Sequence, residues 1–76
     1  MTSLSLVTIG NKIILNLNGE IKEFKVVGSA EVNPQAGKIS YLSPIGEAVL
    51  GRRLGEKFKI NLPGGKKLDC QLIKIK

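Results

Sequence analysis

From Val7 to Leu17 the apolar residues Val7, Ile9, Ile13, Leu15 and Leu17 all fall on odd positions. A period of two places them on one face of a half-buried strand, with Gly10-Asn11 as an interruption. Asn18-Gly19 follows at once, and both residues tolerate the positive φ that a two-residue hairpin turn demands. The return strand runs from Glu20 to Val27, with Phe24 and Val26 on one face and lysines and glutamates on much of the other. Gly28 to Lys38 reads as a loop, because Asn33-Pro34 favours a turn and proline cannot donate to a central ladder. Ile39 to Leu42 is a short apolar patch of strand character.

Ser43-Pro44 then reads as a helix start. The serine oxygen accepts an orphan N–H, and proline lacks the N–H that would be orphaned. Ile45, Ala48, Val49 and Leu50 supply an apolar stripe, Gly51 suits the left-handed position past the end, and Arg52 and Arg53 suit the negative end of the dipole. Such a helix has about two turns and must dock on the sheet to persist. Arg53-Leu54-Gly55-Glu56 reads as a turn. Phe58, Ile60 and Leu62 alternate as a strand, Pro63-Gly64-Gly65 turns the chain, and Leu68, Cys70 and Leu72 alternate again. The phase flips at Leu72-Ile73 toward Ile73 and Ile75, which a β-bulge or burial on two sides would produce. The order β-β-loop-β-α-β-β predicts an α+β domain: an antiparallel sheet of about five strands with one short helix packed on it.

Seventy-six residues make a single domain, 1–76, without repeats or linkers, and residues 1–5 are expected to fray. No apolar run reaches the roughly 20 residues of a membrane span, and no secretory pattern opens the chain. A cytoplasmic monomer is the expectation. Chemistry is bounded just as tightly. There is no histidine, and Cys70 is the single cysteine, so neither a zinc site nor a histidine base can be built. The six carboxylates are scattered, and Glu20 and Glu23 fall on opposite faces of their strand. Catalytic, metal-ligating and cofactor-binding residues are therefore all expected to be none.

The net charge of +6 is unevenly placed. Residues 1–50 hold four lysines and four glutamates, while residues 51–76 set Arg52, Arg53 and six lysines against Glu56 and Asp69. A basic half of this kind suits weak, non-specific nucleic acid or an acidic protein as partner. It equally suits a solvated lysine surface that blunts sheet edges.

The stretch Gly37-Lys38-Ile39-Ser40, followed by Ser43-Pro44-Ile45-Gly46-Glu47-Ala48-Val49-Leu50-Gly51 and Leu62-Pro63-Gly64-Gly65, resembles the signature of the C-terminal domain of the bacterial Gre transcript-cleavage factors, the GreA/GreB family. The resemblance covers roughly residues 6–76 and implies an FKBP-like fold. It also implies a transcription elongation factor domain that docks on bacterial RNA polymerase. The docking place is the rim of the secondary channel, against a coiled coil of the largest subunit. In the family a separate N-terminal coiled coil enters the channel, and acidic residues at its tip help hold the catalytic magnesium. No such segment precedes Val7 in this sequence, so cleavage stimulation does not carry over; an excised domain and a stand-alone relative both fit. The basic second half also departs from the family pattern. Ser43, Pro44, Ile45, Gly46, Arg52 and Arg53 are the docking candidates, and the alternative function is a small basic nucleic-acid-binding domain. Prolyl isomerisation, which an FKBP-like fold raises, needs an aromatic-lined apolar pocket. One tyrosine, two phenylalanines and no tryptophan argue against that pocket.

Overall fold

A computed structural model describes residues 6–76; the expectation for residues 1–5 lies outside them. Asn18 and Gly19, at φ 51° and 94°, turn the chain between β1 (Lys12–Leu17) and β2 (Glu20–Val27) as the hairpin signal predicts. The strand predicted from Val7 begins only at Lys12. Asn11 Oδ1 accepts from the Thr8 N–H at 2.8 Å and closes a turn around Gly10. Val7 stays buried, but the turn throws Ile9 outward to 55% exposure, off the face that its odd number assigns it.

Past β2 the chain makes two 3₁₀ turns, Ser29–Glu31 and Pro34–Ala36, and enters β3 (Lys38–Ser40). Helix α1 (Pro44–Val49) follows, then β4 (Lys57–Asn61) and β5 (Lys67–Ile75). The five strands form one sheet in the order β3-β2-β1-β5-β4. Three pairings are antiparallel, as expected. The fourth corrects the wholly antiparallel expectation: β2 and β3 run parallel, Val26 opposite Ile39. Parallel neighbours usually need a long crossover. Here β3 lies beside only the last three residues of β2, so residues 28–37 need to fall back only that far. The Lys25 N–H donates to the Gly37 carbonyl at 2.8 Å, and Tyr41 to that of Val27 at 3.0 Å.

The phase flip in β5 is a bulge. Leu15 pairs with Leu72 and Ile14 with Lys74, leaving Ile73 as the extra residue. Ile73 is 43% exposed, while Ile75 returns to the inner face opposite Ile13 and packs against the core. The bulge adds twist, and the curled sheet holds α1 against its inner face. Ile13, Leu15, Val26, Val49, Ile60 and Leu72 are at most 1% exposed. Burying each of the larger side chains contributes about 1.5–3 kcal/mol. Phe58 and Cys70 belong to the same core, and Phe24 and Tyr41 pack on its margin.

Candidate functional site

Ser40 to Gly46 forms a tight corner between β3 and α1. The Ser43 hydroxyl donates to the Ser40 carbonyl at 2.7 Å and accepts from the Gly46 N–H at 3.1 Å. Pro44 occupies the first turn. Gly46 is buried, and a Cβ there would collide with the Ser40 carbonyl oxygen. Helix and strand thus meet backbone to backbone, closer than any other residue type permits. Ile45 packs on the core from the half-buried side. The surface of the corner is presented by Leu42, 59% exposed, with Pro44 and Glu47.

The corner does not stand alone. A groove of about 490 Å³ separates it from the β4–β5 hairpin, lined by Leu42, Pro44, Glu47 and Ala48 on one side and by Lys59, Asn61, Leu62 and Pro63 on the other. Sequence reasoning singled out Ser43–Gly46 but missed Leu42 and the Leu62-Pro63 wall. Their signal was available, because Leu62-Pro63-Gly64-Gly65 belongs to the same motif series.

Arg52 and Arg53 lie past the other end of α1, about 9 Å away at 1.5 Å rise per residue. They are not equivalent. The Arg52 Nε donates to the Ala48 carbonyl at 2.8 Å, so the side chain caps the helix C-terminus. Its Nη1 meets Glu56 Oε2 at 2.7 Å, and the guanidinium lies 4.5 Å from the centre of the Phe58 ring. Arg52 is thereby committed within the chain. Arg53 uses its backbone N–H, which donates to Glu56 Oε1 at 3.0 Å, and its side chain is left exposed. Glu56 gathers both contacts. The Arg53 N–H, then the Arg52 guanidinium, hold its carboxyl below the usual carboxylate range.

No cluster of three or more metal-ligating side chains occurs among the described residues. Burial, followed by the charge of Asp69, pushes the Cys70 thiol up, away from the reactive thiolate. No helix among the described residues is long and apolar enough to cross a membrane.

Residues 2–76 match a family model described as "Transcription elongation factor, GreA/GreB, C-term". A transcription elongation factor GreA from Thermomicrobium roseum is 43% identical over 61 residues, 80% of this chain and 39% of that protein. A GreA from Bacillus anthracis is 38% identical over 74 residues, 95% of this chain and 46% of the relative. The chain thus spans less than half the length of these curated relatives. Among solved structures, GreA factor homolog 1 of Thermus thermophilus superposes with a TM-score of 0.80 at 32% identity, over 97% of this chain and 50% of that one.

Proposed function

The chain belongs to the GreA/GreB family of transcription elongation factors, in its C-terminal domain, and on that premise we propose that it docks on bacterial RNA polymerase at the secondary-channel rim, against the coiled coil of the largest subunit. The observation that carries this reading is the family match over residues 2–76. The corner of Ser43, Pro44, Ile45 and Gly46 is the proposed contact, with the exposed Arg53 at the far end of α1. Ser43 and Gly46 act from below, fixing the backbone that presents Pro44 and Leu42. Arg52 acts by holding the turn that presents Arg53. On this reading these 76 residues bring no catalytic group of their own and act by occupancy.

The test uses backtracked transcription complexes with an intact Gre factor and increasing amounts of this chain. The expected outcome is no cleavage above the intrinsic rate, together with progressive loss of the stimulation given by the intact factor. Micromolar or weaker affinity is expected, since one small patch lacks the second contact of a two-domain factor. Arg53→Glu should weaken the competition without disturbing the Arg52–Glu56 pair. Stimulation of cleavage by the chain alone overturns the non-catalytic reading. Absence of competition up to about 100 µM, generous for a small transient interface, overturns docking.

A further inference from the structure

The two faces of the sheet carry very different charge. Strand register fixes which side chains share the outer face, the one α1 does not cover. On β4 and β5 these include Lys57, Lys59, Lys67 and Lys74, set by the pairs Lys57–Gln71, Lys59–Asp69, Asn61–Lys67 and Ile14–Lys74. Across the sheet, Lys12 pairs with Lys25 and Lys25 with Lys38. Lys76 joins them through its 3.1 Å contact with Glu23. Among the described strand residues, the carboxylates that the register places on this face are Glu23 and Asp69, and each already has a lysine, Asp69 at 4.0 Å from Lys59. Of the remaining charges, Lys22, Arg52, Arg53 and Lys66 equal Glu20, Glu31, Glu47 and Glu56 in number. Eight lysines against two carboxylates therefore gather on one face, although they come from all five strands and the terminal Lys76.

The face is also furnished for phosphate. Asn16 and Gln71 stand between the lysines, and a groove of about 710 Å³ runs past Asn16, Asn18, Lys57, Lys59, Asp69 and Gln71. Phe24, Tyr41 and Phe58 pack on the core, and Phe58, which lines this groove, is 8% exposed with the Arg52 guanidinium over its ring, so little aromatic surface is offered for the base stacking on which single-strand binders rely. Five strands at about 4.8 Å spacing make a face about 19 Å wide. That length of duplex carries about 11 phosphate charges at one per 1.7 Å, more than enough for every lysine.

We propose that the outer face of the sheet binds the phosphate backbone of duplex DNA without reading its sequence. The Ser43–Gly46 corner lies on the helix side; of the lysines named here, Lys59 at the β4 edge also lines the groove beside Pro44, and the contact does not depend on the polymerase reading.

The experiment is fluorescence anisotropy of the whole chain with a labelled duplex of about 20 base pairs, from about 50 to about 200 mM salt. The expected slope of log K against log salt is about −4, from four to five phosphates neutralised at 0.9 each. Lys57→Glu with Lys59→Glu should weaken binding at least about tenfold, and Lys22→Glu with Lys66→Glu, the same change of net charge outside the outer-face ladder, less than about twofold. Circular dichroism of each variant checks that it is folded, and Lys57→Gln with Lys59→Gln replaces the first pair if it is not. Ile21→Ser should change affinity less than about twofold, although Ile21 is 62% exposed on this face, because counterion release owes little to apolar area. Equal losses in the two charge-reversed pairs, absence of binding at the lowest salt, or tighter binding of a single strand of the same length would overturn the proposal.

Discussion

A side chain at position 46 has no space to occupy, because the Ser40 carbonyl already stands where its Cβ would go. Gly46→Ala must push helix and strand apart, and overpacking of this kind costs about 1–3 kcal/mol or more; urea unfolding at neutral pH is the measurement. The Ser43 cap was legible in the sequence, since Ser-Pro ahead of an apolar stripe is a local signature. The need for glycine at position 46 was not, because the obstructing carbonyl belongs to another element. Arg52 was half legible: its place at the helix end was readable, but its stacking on Phe58 depends on where β4 lies. Glu56 gives a test through pH. Its carboxyl titrates below the usual range in the folded chain, so the folded state binds the proton more weakly than the unfolded one. Its stabilising contribution is full above the ordinary carboxylate pKa and fades as pH falls through the depressed value. Thermal melts from neutral to acid pH should show Glu56→Gln losing less stability across that window than the parent.

Among the elements, the Asn18-Gly19 hairpin was fully readable, because its turn chemistry and the alternation on both sides agree. The parallel β2–β3 pair was not, since three residues of pairing leave no local pattern. The bulge sat between these cases: the phase flip was visible, but which residue stood apart was not. That residue yields a prediction at this scale. Deleting Ile73 joins Leu72 to Lys74 and turns the shifted register into a regular one, with Leu15–Leu72, Ile14–Lys74 and Ile13–Ile75 all retained. The deletion should fold, with an unfolding midpoint near that of the parent. Deleting Lys59 instead, in a strand whose pairing with β5 has no bulge to absorb it, forces a one-residue slip and turns Phe58 or Ile60 out of the core. That variant should lose most of its stability, and paired thermal melts followed by circular dichroism distinguish the two.

For the whole molecule, the α+β plan was legible because each strand carries its own alternation and the helix its own cap. The surfaces were less so. Exposed residues such as Leu42 and Pro63 obey no periodicity that marks them. Sequence placed the charge in residues 51–76, whereas register sorts it by face and recruits Lys12, Lys25 and Lys38 from the neutral half. Register also brings β1 and β5 together at the centre of the sheet. During translation this means that the middle of the protein is closed by the strand made last of the five. A nascent chain that has reached Gly65 holds β1, β2, β3, α1 and β4, yet β1 has a neighbour on one side only and β4 has none. Ile13, Leu15 and Leu17 then lack Cys70 and Leu72, and a row of backbone donors and acceptors stands open to other chains. Early emergence of four strands therefore gives this fold little protection, and its solubility on the ribosome depends on how quickly the segment from Lys67 to Ile75 follows.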